Sequence, residues 1–408
     1  MDNIPPSIIR QPPPPLTPAG RKEGKTNPEM VGSDNRITRT NYLRSCTRKR
    51  LTDIESLPDE VLFNVLLRLP AQDIYDSTRL VCIKWCNMAH THTFINAHLQ
   101  HSTHELIFQS TSSYLIIMSV GESGLVEISK HSYKPSVLTM ASCNGLLLEV
   151  EFQVRKKCNL YVSNPTTGQV FSLPLFFGYM INNGLFGIAY AAATMEYKAV
   201  VLFTPAQSMK KIFIILTIGV DNSWRTIGSE SVSLAATQIS VSAPALMTEG
   251  FVHFCLIDSN EVLTLNVETE IITDTSGPIP KGRNRNQLNT YLSTGRYLSL
   301  LRPCGEFCWE VWEMKPKIDY RWRKVWDISL ETHKCSTCQL FGFNEYSYLI
   351  PIGWLKYLEL LVFSVSDDDP IFVFNLLTRE IVTFELPFSC NNYNILMHKN
   401  SLVWLDGC

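Results

Sequence analysis

The residues in this chain whose types and spacing best suit chemistry are cysteines and a histidine between positions 304 and 338. Cys304 and Cys308 are followed by His333, Cys335 and Cys338, which have the ligand types and the paired spacing that a tetrahedral zinc ion requires. Against a zinc site, the first pair has one residue more between its cysteines than the commonest zinc knuckle, and small thiols are ordinary beside strands. The sequence leaves zinc binding open, and we predict neither a metal nor another cofactor.

Two further clusters contain residue types that bind metal ions. Asp367 to Asp369 are consecutive acids, but carboxylates on a turn between strands point in divergent directions and usually stay hydrated. Five histidines lie between residues 90 and 104, and their spacing around Phe94 favours an exposed helix and its linker over a metal site. Neither cluster predicts bound metal.

The common catalytic motifs are missing from the sequence. It has no G-x-S-x-G elbow, no glycine-rich phosphate loop that opens a helix, and no H-E-x-x-H pair. No segment supplies a nucleophile, a base and oxyanion donors together. The sequence therefore predicts a protein without catalytic activity of its own.

The clearest helical periodicity lies in the segment from Leu57 to Trp85. The apolar residues of its first helix recur at i, i+3, i+4 and i+7, which predicts one apolar stripe: Leu62, Val65, Leu66 and Leu69. Ser56 is a candidate N-cap, and Pro70 follows the last apolar position and ends the helix. Ala71 to Tyr75 and Thr78 to Met88 predict two more short helices.

Three helices of this length bury too little surface to be stable alone, so an apolar face left exposed would need a partner. A purely structural helical cap, whose apolar residues only satisfy one another, is the alternative. The ordered motifs go beyond periodicity, because over roughly forty residues they resemble the F-box family. The motifs are Leu57-Pro58-Asp59-Glu60, the Leu69-Pro70 break, and Arg79-Leu80-Val81-Cys82 followed by Trp85.

The resemblance implies a docking site for the Skp-type adaptor of a cullin-RING ubiquitin ligase, in which apolar side chains carry the contact. Nine residues match the family's motif by position: Leu57, Pro58, Leu66, Leu69, Pro70, Leu80, Val81, Cys82 and Trp85. After the cysteine the family usually has two polar or basic residues, whereas this chain has Ile83 and Lys84. Ile83 is either an extra contact or a weakened part of the surface, and the sequence does not decide between these.

The first 50 residues differ in charge from the rest of the chain. They contain ten Lys or Arg and four Asp or Glu, a net charge of +6, whereas the whole chain has a formal net charge of −2. Pro12 to Pro15, few large apolar residues and the absence of a period predict a disordered tail over residues 1–50. Arg48 to Arg50 suggest nuclear import or nucleic-acid binding only weakly, so we predict no nucleic-acid partner.

The composition predicts a protein of a reducing compartment. The longest apolar runs, such as Ile212 to Val220, are too short to span a bilayer, and no apolar signal region follows the N-terminal charges. Twelve cysteines without a secretory signal indicate free thiols rather than a disulfide framework. We therefore expect no membrane association and a location in the cytoplasm, the nucleus or both.

From Leu106 onward the sequence predicts an all-β region, because short apolar or alternating runs are separated by turn residues. An apolar strand followed by Asn-x-x-Thr occurs three times, at Asn164, Asn266 and Asn375. In each copy the Asn and Thr side chains would bond to nearby backbone in a turn, and a second strand would return toward a proline. The repeated motif therefore predicts hairpins.

The spacing of these motifs predicts a propeller. The three asparagines are 102 and 109 residues apart, and Trp224 and Trp322 are 98 residues apart. This spacing is twice the roughly fifty residues of a kelch-like blade, so each signature would mark alternate blades. The 303 residues from Leu106 to Cys408 would then form about six blades of four strands, whose radial closure protects the strand edges. A large β-sandwich is the alternative.

The C-terminal region also resembles the F-box-associated domain of plant proteins. The matching segments are, in order, Ser142-Cys143-Asn144-Gly145-Leu146-Leu147, Tyr161-Val162-Ser163-Asn164-Pro165-Thr166-Thr167, Glu196-Tyr197-Lys198-Ala199-Val200 and Ser223-Trp224-Arg225. The second half, from Cys304 to Cys338, matches less clearly. The resemblance implies a kelch-related propeller domain that holds a substrate protein. Trp354 and Tyr357 are candidate contacts, although such residues are at least as often packed between blades.

These patterns together predict a multidomain α+β chain. It comprises the tail over residues 1–50, a small helical F-box domain over residues 51–100, and an all-β, kelch-like propeller over residues 101–408 that recognises a substrate. The resemblance implies a non-catalytic substrate-recognition subunit of an SCF-type (Skp-cullin-F-box) E3 ubiquitin ligase. Its partners would be the Skp-type adaptor, through it the cullin and RING subunits, and a target protein that is ubiquitinated and degraded by the proteasome.

Two other functions stay open. One is an enzyme with its active site in the central funnel of the propeller, which would require polar and charged residues to converge at one end of the channel. The other is an F-box protein that binds the adaptor but acts outside a cullin complex. The sequence identifies neither the substrate protein nor any small-molecule co-ligand.

Overall fold

The computed structural model describes the helical module and the β region within one unit, Leu57–Cys408. The described residues are 57–109, 114–121, 123–134, 137–152, 158–175, 184–203, 205, 211–228, 244–256, 260–278, 289–305, 307–330, 349–365, 370–385 and 394–405. Several sequence-based predictions lie outside these residues: the tail over residues 1–50, His333, Cys335, Cys338, and Asp367 to Asp369.

The described part of the helical module contains four α-helices rather than the three expected. They are α1 (Asp59–Leu66), α2 (Ala71–Asp76), α3 (Ile83–Ala89) and α4 (His92–His101), with a 3-10 turn over Thr78–Leu80. Pro58 and Pro70 occupy the N-cap positions of α1 and α2, so the prediction of Ser56 as the N-cap of the first helix is wrong. Proline is tolerated there because a helix makes no intrahelical use of its first backbone N–H groups. Pro70 therefore separates α1 from α2, as the sequence predicts.

Two features of the module differ from the expectation. The helix expected over Thr78 to Met88 is interrupted because Cys82 has an extended backbone, with φ −159° and ψ 167°. The fourth helix, α4, buries Phe94, Ile95 and His98. Its inward stripe includes a histidine, so an apolar period is hard to recognise in the sequence. The histidines do lie on a helix and its linker, but His98 is buried rather than exposed.

Among the described residues, twenty-four strands form six antiparallel sheets of four strands each. The closing blade contains β1 (Glu105–Gln109), β2 (Tyr114–Val120), β3 (Val126–Ser132) and the last strand, β24 (Asn394–His398). Blade 1 contains β4 (Val137–Cys143), β5 (Leu146–Phe152), β6 (Cys158–Asn164) and β7 (Gln169–Ser172). Blade 2 contains β8 (Leu185–Ala191), β9 (Glu196–Phe203), β10 (Ile212–Thr217) and β11 (Arg225–Ile227).

The other three blades repeat this arrangement. Blade 3 contains β12 (Leu246–Thr248), β13 (Phe251–Leu256), β14 (Glu261–Asn266) and β15 (Ile272–Ser276). Blade 4 contains β16 (Thr290–Ser293), β17 (Leu298–Gly305), β18 (Cys308–Lys315) and β19 (Asp319–Ser329). Blade 5 contains β20 (Leu349–Lys356), β21 (Leu360–Val365), β22 (Pro370–Asn375) and β23 (Ile381–Glu385).

The six sheets form a closed ring. Neighbouring blades contact each other through their innermost strands β4, β8, β12, β16, β20 and β24, and β24 in turn contacts β4. Strand β24 pairs antiparallel with β1, from His398 opposite Glu105 to Asn394 opposite Gln109. The last strand therefore supplies the innermost strand of a blade whose other three strands begin the β region, and this arrangement closes the ring. The prediction of about six blades of four strands is confirmed.

The repeated sequence signatures fall on alternate blades. Asn164, Asn266 and Asn375 end the third strands of blades 1, 3 and 5. In each, the side-chain oxygen accepts a hydrogen bond from the backbone N–H two residues ahead, at 2.9 Å. Trp224 directly precedes β11 and Trp322 lies in β19, the outer strands of blades 2 and 4. The hundred-residue spacing therefore arises from pairs of blades, and the asparagines shape the turns as expected.

Trp354 and Tyr357 are packing residues between blades 4 and 5. Trp354 is only 1% exposed and belongs to a core that contains side chains of both blades. The Tyr357 hydroxyl donates a hydrogen bond to Glu313 of blade 4. Trp354 is therefore not a surface contact for a target protein, because the packing between blades removes its ring from solvent.

The helical module packs on the propeller through residues that are distant in sequence. Leu66 shares one hydrophobic core with side chains of blades 1 and 2 and with residues 402–405. In that last segment, the ring of Trp404 lies 5.9 Å from the ring of Tyr75 and 4.9 Å from the ring of His90. The end of the chain therefore joins the helices to the propeller.

Candidate functional site

The helical module exposes apolar side chains on one short segment, Leu80 to Ile83, which we call the docking segment. Leu80, Val81 and Ile83 are 67%, 60% and 80% exposed. Leu80 ends the 3-10 turn, Cys82 is extended and Ile83 begins α3, so the chain runs across the surface before α3 turns inward. Adjacent large apolar side chains that stay in water are typical of an interaction site.

Lys84 and Trp85 orient the docking segment. The Lys84 ammonium lies 2.6 Å from a carboxylate oxygen of Asp59 and donates a hydrogen bond to the Leu57 carbonyl at 3.1 Å. These contacts tie the start of α3 to the start of α1. Trp85 packs against the core of the module. Since both residues that follow Ile83 contact the module, the Ile83 side chain is left in solvent.

The nine predicted adaptor-binding residues do not all reach the surface. Pro58, Pro70, Leu80 and Val81 are exposed, Leu57, Leu69, Cys82 and Trp85 are half-buried, and Leu66 is fully buried. Leu66 therefore supports the module from its core and offers no surface to a partner. The predicted apolar stripe is also narrower than expected, because Leu62 and Leu66 face the core while Val65 is 48% exposed.

A cavity of about 1040 Å³ lies at the end of the central channel nearest α4. Its wall includes Asn96 and Leu99 of α4 and the ends of the inner strands of the blades, with Ser142, Tyr190 and His398 among the polar groups. Polar side chains thus gather at one end of the channel. The hypothesis of a propeller enzyme requires such a convergence, so the chemistry of these groups decides its merit.

Two of these polar groups are engaged with each other, since Ser142 Oγ lies 2.8 Å from His398 Nδ1. Burial lowers the pKa of His398 to about 4, and burial together with Lys399 lowers that of His104 to about 3. An imidazole with so low a pKa is a weak base at neutral pH.

Access to the same pair is also restricted. Ser142 is 5% exposed and His398 is 2% exposed. Ser142 lies on β4 of blade 1 and His398 on β24 of the closing blade, so their hydrogen bond spans the closure of the ring. The burial, the low basicity and this position favour a structural role for the pair over nucleophilic catalysis.

The described residues contain no group of three or more His, Cys, Asp or Glu that could hold a metal ion. Cys304 is exposed and Cys308 is half-buried. The three further residues of the candidate zinc set, His333, Cys335 and Cys338, lie outside the described residues. None of the described helices is long and apolar enough to cross a membrane.

Glu149 provides a testable dependence of stability on pH. It is 2% exposed and accepts a hydrogen bond from Ser163 Oγ at 2.8 Å, and burial raises its pKa to about 7 from an ordinary 4.5. Between pH 4.5 and 7 the folded state therefore keeps a proton on Glu149 that the unfolded state releases. This difference in proton binding lowers the free energy of unfolding as the pH rises.

Replacing Glu149 by Gln removes the titrating group and this dependence on pH. The glutamine side-chain oxygen can still accept the hydrogen bond from Ser163 Oγ. The variant is expected to be about 3 kcal/mol more stable than the wild type at pH 8 and nearly equal to it at pH 4.5. Urea unfolding at a series of pH values measures the difference. A difference that does not change with pH would contradict the raised pKa.

Comparisons with known proteins agree with both parts of the structure. A model of the F-box domain matches residues 54–96, and a model of the F-box associated beta propeller domain matches residues 87–273. An Arabidopsis thaliana protein named as an F-box protein is 26% identical over 203 residues, which are 45% of this chain and 50% of that protein. The chain thus spans about half the length of this relative.

Several solved structures also resemble the chain at low identity. A chain of a nidogen/laminin complex has a TM-score of 0.42 and 9% identity, over 73% of this chain and 99% of that chain. TolB from Acinetobacter baumannii has a TM-score of 0.39 and 11% identity, over 77% of this chain and 72% of that chain. The two family models match the chain in the order of the helices and the blades, so the chain contains an F-box domain followed by an F-box associated beta propeller domain.

Proposed function

We propose that this protein is the substrate-recognition subunit of an SCF-type E3 ubiquitin ligase. The observation that carries the proposal is the docking segment, whose Leu80 and Val81 stay 67% and 60% exposed within an F-box domain. Burying one such side chain against a partner is worth about 1.5 to 3 kcal/mol, so a Skp-type adaptor would gain most of its affinity from apolar contact.

The propeller would hold the protein target in this proposal. Its closed blades form a rigid scaffold whose loops can vary without disturbing the core. The core that the module shares with blades 1 and 2 keeps the docking segment at a constant position relative to the propeller. A target held there would have a raised effective concentration near the ligase, and proximity is the contribution of such a subunit to ubiquitin transfer.

The remaining parts of the proposal concern the assembly. The adaptor would link the protein to the cullin and RING subunits, and the ubiquitinated target would be degraded by the proteasome. The cytoplasm and the nucleus both suit such a subunit. The chain itself would perform no chemistry, in agreement with the buried, weakly basic Ser142–His398 pair in its channel.

Binding of purified Skp-type adaptor to the full chain tests the proposal. A Leu80→Ala, Val81→Ala double variant is expected to bind about 100-fold more weakly, because both apolar contacts are lost. Both side chains are largely exposed, so the fold should persist, and circular dichroism checks this. Calorimetry measures the affinities, and a Val382→Ala variant on the propeller, whose side chain is 51% exposed, serves as the control.

The possible results separate the three functions. Adaptor binding that the double variant loses, with cullin captured in the same complex, supports the receptor function. Adaptor binding without cullin favours an F-box protein that acts outside a cullin complex. The absence of binding by the intact, folded chain would contradict the proposal and favour an enzyme that uses the central channel.

A further inference from the structure

Ile83 is the most exposed large apolar side chain among the described residues, at 80%. It lies within four residues of Leu80 and Val81, which are also mostly exposed. A single exposed apolar side chain is ordinary on a protein surface, but three within four consecutive residues are typical of an interaction site. Ile83 therefore contributes to the exposed apolar surface of the docking segment beside Leu80 and Val81.

The basic residues that flank the docking segment are turned toward the module. The Arg79 guanidinium lies 4.1 Å from the centre of the Tyr75 ring, and its Nε donates to the Tyr75 carbonyl. Lys84 is engaged by Asp59 and by the carbonyl of Leu57. The two cations closest in sequence thus contact the module, and the edge at Leu80 to Ile83 is apolar.

We propose that Ile83 is a contact and specificity residue of the docking segment, which selects an adaptor with an apolar side chain opposite position 83. This inference rests on the proposed adaptor binding. An adaptor with a carboxylate at that point would lose hydration against Ile83 without gaining an ion pair, and would be disfavoured. Ile83 is then an additional contact, which decides between the two interpretations that the sequence leaves open.

The test compares lysine at position 83 with lysine elsewhere. Ile83→Lys is expected to bind the Skp-type adaptor at least about tenfold more weakly, because an apolar contact is replaced by a charge without a partner. Leu125→Lys is the matched control, since Leu125 is 68% exposed in the turn between β2 and β3 of the propeller and the change of charge is the same. Its affinity should equal that of the wild type.

Salt dependence provides a second measurement on the same complexes. An apolar contact at position 83 predicts that the loss of affinity on removing Ile83 is the same at about 0.05 and about 0.5 M NaCl, because salt screens exposed ion pairs and not apolar contacts. Ile83→Ala is the second variant and removes the contact without adding charge. It should weaken binding about fivefold at both salt concentrations.

Tighter binding by Ile83→Lys would overturn the inference, because a carboxylate of the adaptor would then face position 83. Unchanged binding by this variant would overturn it too, because position 83 would then stay in solvent in the complex. Unchanged binding by Ile83→Ala would overturn it as well. The Leu80→Ala, Val81→Ala variant in the same assay separates this failure from a failure of the proposed function. If this double variant loses binding while the Ile83 variants bind normally, the docking segment still binds the adaptor but Ile83 does not contribute. If the intact chain does not bind the adaptor, both proposals are contradicted.

Discussion

Replacing Trp354 by alanine is expected to lower the free energy of unfolding by about 4 kcal/mol. Trp354 lies on β20, the innermost strand of blade 5, and is 1% exposed. Its ring meets the ring of Tyr357 edge-on, with centroids 5.2 Å apart. Truncation would remove these contacts and leave a cavity between two blades. Urea unfolding followed by circular dichroism at 25 °C measures the loss.

Trp354→Phe is the matched control for this prediction. The indole Nε1 has no hydrogen-bond partner among the described residues, so the phenyl ring would lose packing but no hydrogen bond. The expected cost is about 1 to 2 kcal/mol. If the alanine variant were as stable as the wild type, Trp354 would not be a core residue, and its role as a contact for a target protein would have to be considered again.

Replacing Asn164 by alanine is expected to cost about 3 kcal/mol, because it leaves several buried backbone groups without partners. Asn164 is fully buried, and its Nδ2 donates to the carbonyls of Ser401 at 3.1 Å and Val403 at 2.8 Å. Its Oδ1 accepts from the Thr166 N–H at 2.9 Å. The side chain therefore holds the C-terminal segment of residues 399–405 as well as its own turn.

Asn266 has the same sequence motif and provides the comparison. It is half-buried, and its Oδ1 accepts hydrogen bonds from the N–H groups of Glu268 and Thr269 within its own turn. Asn266→Ala should therefore cost only about 1 kcal/mol. Hydrogen exchange of residues 399–405 should accelerate in the Asn164 variant and not in the Asn266 variant. Equal effects of the two substitutions would show that Asn164 does not anchor the C-terminal segment.

The anchoring of residues 399–405 also depends on a close approach between Ser401 and the turn at Asn144 and Gly145. That turn belongs to one of the segments that resemble the F-box-associated domain. The turn between β4 and β5 contains Asn144 and Gly145, both with positive φ, 52° and 86°. A Cβ on Gly145 would lie 2.0 Å from Ser401 Oγ, so only glycine fits. The Ser401 hydroxyl donates to the Asn144 carbonyl at 2.6 Å. This turn therefore has two roles: it connects β4 to β5, and it contacts the C-terminal segment of residues 399–405.

The features that depend on residues close to one another in sequence could be predicted from the sequence. Pro70 separates α1 from α2 because proline restricts its own backbone wherever it occurs. The Asn-x-x-Thr turns form because the asparagine side chain bonds to backbone two residues ahead. The order of short motifs indicated the F-box, and their hundred-residue spacing indicated pairs of blades. Each of these signals is contained within a few residues or in their repetition.

The tertiary structure alone decided which apolar residues are available to a partner. The sequence treats Val65 and Leu66 alike, yet Leu66 is fully buried and Val65 is 48% exposed, because the module turns one side of α1 toward its core. The sequence likewise did not show that Trp354 is buried between blades 4 and 5. Burial depends on which surfaces meet, and a pattern of residue types along one chain does not contain that information.

The same limit applies to the closure of the propeller and its attachment to the helices. Ser142 and His398 are 256 residues apart, and Lys399 donates to the Leu99 carbonyl across 300 residues. The sequence by itself determined the local turns, the repeat and the family motifs, because backbone restriction and side-chain bonds act over a few residues. Only the tertiary structure places residues 399–405 against the helices, because contacts between residues so far apart in sequence form only when the whole ring closes.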